Sequence, residues 1–407
     1  MLRALGDRNY NTLPFQIKDF LDEQHWSAYK LIDDLRFEPT GMYRDAYVVR
    51  KQEQIPCSVA ANGVGLIGLA IADYAGWEKN AAGKAMTTLQ TMAHEKGPCR
   101  PERDPDTGYF RHWFDVATGE CRMNAEFSTV DTALFICGAV FACNYFQDPA
   151  MIRLTRKIFH SIDWRAAIAD GDSGVFYMSV EDGKGAEPIC PFNEYSILAY
   201  ITAHVHPKGS LLWQNLFRDV RLNRMPIHRR YGKKLLGMPQ GIPSSFVYQF
   251  PFYLINDYTT SPCYQGILRN IALADKADWR NHDLPPYIWG HGAGVNYQEY
   301  YQADTIGNNP TLTVSPYIVA GFLPVYPEGV FDLFRMHEYI QTHGNTSDPL
   351  FNHAYKYGLS RFCPGRAWYP RHLAAIDWSS MLYGITAFKW GNEFFSCYNG
   401  VTERIYD

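Results

Sequence analysis

Two carboxylates stand in surroundings that bear on chemistry. Glu194 lies within Cys190-Pro-Phe-Asn-Glu-Tyr-Ser-Ile-Leu-Ala-Tyr200, and Asp377 lies between Ile376 and Trp378. An ionised carboxylate among apolar side chains is costly unless it is paired or takes up a proton. Glu194 therefore reads in two ways. It is a structural group, capping a helix from Tyr195 or paired with an arginine, or it is a general acid kept protonated near neutral pH by Phe192, Tyr195 and Ile197. Asp377 reads as the N-cap of a helix from Trp378 onward or as a general base. The rival carboxylates are Glu126, Asp131, Glu299 and Asp304.

Asp131 closes Ser128-Thr-Val-Asp131, which has the form of a capping box with a short acid in place of Glu or Gln. It can cap the helix, line a site, or do both. Glu299, in Asn-Tyr-Gln-Glu-Tyr-Tyr, is a ligand to a polar substrate, a nucleophile, or a solvated side chain. Around these acids the chain is rich in rings: 28 Tyr, 24 Phe and 10 Trp, many beside Asp, Glu, Arg, His and Asn. Aromatic faces bordered by hydrogen-bonding groups suit carbohydrate, whose rings offer C–H faces and hydroxyl edges. The competing reading is that these rings fill the core of a large helical protein.

Several functions are disfavoured. A net charge of −4 over 407 residues argues against a nucleic-acid partner. Nine scattered cysteines show no CxxC pair or zinc-type spacing, and Cys137 and Cys143 fall in apolar helical patterns, so reduced, packed thiols are expected. His337-Glu-Tyr-Ile-Gln-Thr-His343 has the wrong spacing for a helical zinc pair. Gly63, Gly65 and Gly68 follow no strand and form no phosphate loop. No metal and no cofactor are expected. The N-terminal stretch lacks the apolar run of a signal peptide, and no apolar stretch is expected to reach the length of a membrane span. A cytoplasmic protein without a membrane partner is the expectation, or an exported one if a signal has been trimmed.

The elements that must position these residues are mostly helical. Phe15 to Leu35 carries one apolar stripe, and Asn80 to Ala93 is also amphipathic. Ser58 to Tyr74 and Ser128 to Tyr145 are apolar nearly all round, as buried helices are. Further helices are expected at Met151 to Ile158, Tyr195 to Ala203, Tyr264 to Ala274, Val330 to Tyr339 and Trp378 to Lys389. Loops are expected at Gly97 to Arg122, Asp170 to Pro191, Asn223 to Pro243, Asp278 to Pro310 and Gly344 to Arg371, with short strands in Tyr109 to Arg122 and Gly174 to Val180. Alternating buried and amphipathic helices without a linker predict an all-α chain. They suggest a single α/α toroid over residues 1–407, with loops forming a cleft at one end.

Several segments resemble the glucoamylase-like family, which includes endo-β-1,2-glucanases and the C-terminal domain of cyclic β-1,2-glucan synthases. They are Thr40-Gly-Met-Tyr-Arg-Asp45 with Ser58-Val-Ala-Ala-Asn-Gly-Val-Gly-Leu66 and Gly76-Trp77; Gly108-Tyr-Phe-Arg-His-Trp-Phe-Asp115 with Thr118-Gly119; and Glu126-Phe-Ser-Thr-Val-Asp-Thr-Ala-Leu-Phe135 with Gly138. Asn193-Glu-Tyr-Ser196, Trp289-Gly290 with Tyr297, and Ala375-Ile-Asp377 follow in family order. The resemblance departs where Trp378-Ser-Ser380 replaces Gln-Gly-Pro and where His291-Gly-Ala-Gly follows Trp289-Gly290. Linkage specificity is therefore open.

The resemblance implies an (α/α)6 barrel and a β-glucan substrate, most readily β-1,2-glucan, cleaved by inversion. Glu194 would be the acid and Asp377 the base. Trp113, Trp289 and Tyr297, then Tyr109 and Trp378, would stack on sugar rings. Arg111 and His112 would donate to hydroxyls, Asp45 would accept, and Glu126, Asp131 and Glu299 would bind substrate. Two alternatives remain within the same cleft, a retaining transglycosylase and an exo-acting glycosidase. A third is an inactive carbohydrate-binding protein.

Overall fold

Ser58 ends a two-residue strand, and its hydroxyl accepts from the Ala61 N–H to open the helix Val59–Ala75. Ser128 does the same for Thr129–Phe146, accepting from Asp131. Such caps satisfy N–H groups that a helix start leaves without partners. Both helices are buried along nearly their whole length. Their close approach depends on glycine: a Cβ on Gly138 would lie 2.5 Å from the Gly63 Cα, and one on Gly63 would lie 2.4 Å from the Leu134 carbonyl oxygen. Gly63 thus serves helix–helix packing, while Gly65 makes room for the Tyr43 ring.

The computed structural model describes residues 8–49, 55–189, 192–218 and 225–406. Within them, four more helices are buried on all sides: Ser196–Ala203, Phe246–Leu254, Pro316–Gly321 and Ala375–Trp390. Helices with an exposed face alternate with them along the chain: Phe15–Leu35, Ala81–Met92, Pro149–His160, Pro207–Leu212, Pro262–Trp279 and Gly329–His343. Each buried helix packs on the next in chain order, and Ala375–Trp390 packs back on Val59–Ala75. The core lies between these inner helices and the amphipathic ones outside them. The chain is thus predominantly helical, as its apolar periodicity predicts.

The helix Phe246–Leu254 has no counterpart in the sequence reading. Its residues, Phe-Val-Tyr-Gln-Phe-Pro-Phe-Tyr-Leu, offer no polar face, and Pro251 sits inside it. Both features hide a 3.6-residue period. The strand expected in Gly174 to Val180 is found, with partners beyond those bounds, and the expected 223–243 loop gives way to a hairpin. Val175–Glu181 pairs antiparallel with Lys184–Ile189 through an Asp182-Gly183 turn, both residues at positive φ, as a tight hairpin turn requires. The same strand pairs with Phe127–Ser128 and Ile168–Asp170. Ile227–Arg230 pairs with Lys233–Leu236. Cys190, Pro191, the start of the expected 223–243 loop and the first seven residues lie outside the described residues.

Two further strand pairs matter for position. Cys57–Ser58 pairs with Trp113–Phe114, and Ala46–Val48 pairs with His372–Ala374. Each joins the start of a buried helix to a segment distant in sequence.

The expectation about apolar stretches needs one correction. Thr129–Phe146 is long and apolar enough to cross a membrane by length and composition, but 78% of it is buried inside the fold. Cys137 and Cys143 are buried within it, and the eight described cysteines are free thiols.

Candidate active site

The N-terminal ends of the six buried helices converge on one cavity of about 480 Å³. Ser58, Ser128, Tyr195, Phe246, Tyr317 and Ala374 each line it at or beside a helix start. Helix N-termini carry partial positive charge and favour nearby anions. The cavity gathers six carboxylates: Asp45, Glu126, Asp131, Glu187, Glu194 and Asp377. Its apolar wall includes Val130, Leu134, Phe250 and Ile376.

Glu194 does not cap its helix. The Tyr195 N–H donates to the Asn193 side chain at 2.7 Å, and the Glu194 backbone carbonyl accepts from Ile197 at 3.1 Å. The carboxyl is free to face the cavity, where it is half-buried. Burial pushes its acidity toward the protonated form; its own backbone N–H opposes this, and Asp131 adds to it.

Asp377 is not an N-cap either. Its helix starts at Ala375, so Asp377 falls in the first turn. It is 8% exposed and still lines the cavity. Burial raises its pKa, Arg361 pulls it down, Asp45 raises it again and Tyr317 lowers it, leaving it at about 7. Asp45 reaches this helix through its backbone, its carbonyl accepting from Ala375 at 2.9 Å.

The same cavity is lined by a cation. His112 meets Glu126 through Nδ1 at 2.8 Å and faces Asp131 through Nε2 at 3.7 Å. Burial opposes its charge, but Asp131, Glu126 and Asp45 outweigh burial and lift its pKa to about 9. Its ring stacks on Trp113 at 4.0 Å. The backbone holds the cluster in register: Val59 donates to the His112 carbonyl, and His112 donates to that of Glu126. Asp131 accepts the Ser128 hydroxyl at 2.5 Å. The reciprocal half of a capping box is missing, because the Ser128 N–H goes to Phe110. Two carboxyls with raised pKa values in one walled cavity are equipped for general acid and base work.

An endo-β-1,2-glucanase from Chitinophaga pinensis, solved with sophorotriose and glucose, matches with a TM-score of 0.76 over 94% of this chain and 95% of its own, at 16% identity. A proposed glucoamylase from Bacteroides fragilis matches at 0.75 over 97% of this chain and 98% of its own, at 18% identity. The chain has the glucoamylase-like fold. An endo-β-1,2-glucanase mutant from Talaromyces funiculosus, solved with β-1,2-glucan, shares it more distantly, with a TM-score of 0.61 over 96% of this chain and 86% of its own, at 11% identity. No family sequence model matches the chain, and no curated protein matches it by sequence.

Within this glucoamylase-like fold, Asp45, His112, Trp113, Glu126, Asp131, Glu194 and Asp377 come together. The other expected residues do not. Tyr109 and Trp289 have no exposed surface and Trp378 is 2% exposed, so none offers a face to a ligand. The Trp289 indole N–H donates to Asp332 at 2.8 Å, and that of Trp378 to the Tyr357 carbonyl at 3.2 Å. Arg111 turns away to Glu102 and the Ala125 carbonyl, its guanidinium over Phe127. Tyr297 lies under Arg366, and Glu299 binds Trp368 and Arg371 outside the cavity lining.

The cavity also holds residues that the sequence reading passes over. Tyr301 is 69% exposed at the rim, on the same turn as Tyr297 and Glu299. The reading thus finds the segment and misses the position, which the turn joining Val295 to Tyr301 sets. Phe246 and Phe250, spaced four apart, belong to the helix that Pro251 disguises. Outside the lining, Arg361 is the largest omission, since nothing in its local sequence marks its closeness to Asp377.

Proposed function

We propose that this chain is a glycoside hydrolase acting on β-linked glucan, with β-1,2-glucan the leading substrate. Its scaffold would be one (α/α)6 barrel with the cleft at the helix N-terminal end. The observation that carries this reading is the meeting of Glu194 and Asp377, far apart in sequence, in one cavity that raises the pKa of both. The shared fold with enzymes solved with β-1,2-linked sugars supports the substrate class. In this reading Glu194 protonates the leaving oxygen, directly or through a relay, and Asp377 activates water for inversion. His112 and Asp45 hold hydroxyls, and Trp113 and Tyr301 offer ring faces.

Incubation with linear β-1,2-, β-1,3- and β-1,4-glucans, with product anomers resolved, tests activity, linkage and stereochemistry together. Glu194→Gln and Asp377→Asn should each bind glucan yet turn it over orders of magnitude more slowly. Near-normal turnover in either removes that residue from its role.

One observation favours a second assignment of roles. Asp377 at about 7 holds its proton further toward neutrality than an ordinary base does, so it suits the donor, with Glu194 as base. An aryl glycoside with a good leaving group separates the two. Such a substrate needs no proton donor, so it restores turnover to the variant lacking the acid and not to the one lacking the base.

A further inference from the structure

Behind the cavity wall lies an ion pair sealed from solvent. Arg361 Nη2 meets Asp304 at 2.9 Å, with side chains 2% and 0% exposed. Arg361 also donates from Nε to Ser315 at 3.0 Å and from Nη1 to the Val295 carbonyl at 2.9 Å. The guanidinium is therefore fixed by three partners, and Phe362 locks its segment in place through a bridge to Val314.

One glycine brings this group up to Asp377. A Cβ on Gly294 would lie 2.8 Å from Arg361 Nη1 and 3.0 Å from Asp377 Oδ2. The two atoms are thus no more than about 6 Å apart, within the range where an opposite charge shifts a carboxyl. Gly294 has φ +124°, which side chains rarely adopt, so the gap is built into the backbone.

We propose that Arg361 is a positioning residue for Asp377, forming with Asp304 a sealed charge pair whose balance sets how readily Asp377 gives up its proton. The other groups facing Asp377 are Asp45, from the turn before Ala46–Val48, Tyr317 on Pro316–Gly321, and Tyr301 on the rim hairpin. Asp304 in turn faces His291 and Asp275, and His291 pairs with Asp278 at 2.8 Å. Arg361 is the cation closest to Asp377 in this set, and its effect is to favour the carboxylate. Asp304 is its counterweight. The other Asp304 oxygen is buried and meets no hydrogen-bonding group among the described residues.

The two members of the pair must act in opposite directions. Arg361→Gln removes the cation and moves the Asp377 titration up by about one pH unit or more. Asp304→Asn leaves the cation unbalanced and moves it down. Arg361→Lys keeps the charge and shifts it less than Arg361→Gln. The titration is read by NMR of ¹³C-carboxyl-labelled aspartates, with the Asp377 signal assigned by its loss in Asp377→Asn. This readout needs no substrate. Unmoved signals, or shifts of one sign in both variants, overturn the proposal, because a merely structural pair would alter stability without opposed titrations. If Arg361→Gln does not fold, the downward shift in Asp304→Asn decides alone.

The consequence for turnover rests on the proposed hydrolase reading. There, the limb of the kcat/KM profile governed by Asp377 follows the same two shifts. Absence of hydrolysis on every glucan would defeat that reading and leave the carboxyl titration still able to succeed or fail.

Discussion

Asp377→Asn should make the protein more stable, and increasingly so as pH rises. Asp377 is 8% exposed and titrates at about 7 in the fold, against 3.8 when free. Between those values the unfolded chain has released the proton and the folded chain still holds it. Unfolding therefore releases a proton, and stability falls as pH rises, levelling off above the folded value. The interval from pH 5 to the folded value spans about two units, or roughly 3 kcal/mol. Asparagine is close in shape to the protonated acid and does not titrate. The lead of the variant over the parent should widen by that amount between about pH 5 and pH 8, or about 3 °C in Tm for a chain of this length. Thermal denaturation of both proteins in parallel buffers at fixed ionic strength measures it. A constant gap, or a parent that gains on the variant as pH rises, refutes the account of Asp377. In the proposed function the same substitution removes turnover, so the stability gain and the activity loss arise from one buried charge.

Other perturbations test neighbouring claims. Trp289→Phe removes the indole N–H that Asp332 accepts, so thermal denaturation should show a loss of about 1–3 kcal/mol with kcat/KM unchanged, whereas a selective activity loss would restore Trp289 to the site. Gly138→Ala forces a methyl against the Gly63 backbone and should cost about 3 kcal/mol or more; an alanine variant of parental Tm would show that the helices do not meet there. Tyr301→Ala should raise KM for glucan by about tenfold with kcat little changed, as expected for a stacking face at the rim, and an equal fall in kcat would place Tyr301 in the chemical step.

The helical class was readable because buried and amphipathic segments differ in pattern along the chain. Phe15–Leu35 emerges with the bounds its apolar stripe predicts. The cavity was readable where an acid sits in a helix's first turn, as with Asp131, where rings gather beside polar residues, as with His112 and Trp113, or where a carboxylate interrupts an apolar run, as with Glu194 and Asp377. Rings were harder. A tryptophan beside polar residues looks the same whether it faces a ligand, as Trp113 does, or buries its N–H against Asp332, as Trp289 does. That difference is set by packing between distant helices, which no local window contains. Arg361 was illegible for the same reason: its meaning lies in Asp304 and Asp377, which reach it only once the helices assemble.

The pairing of Ala46–Val48 with His372–Ala374 has a consequence for synthesis of the chain. The ribosome makes Ala46–Val48 more than 300 residues ahead of the strand that pairs with it. Until then the strand's hydrogen-bonding edge is open, and Val59–Ala75 lacks the neighbour that Ala375–Trp390 supplies. A polypeptide stalled before His372 would leave those apolar flanks exposed to chaperones and proteases.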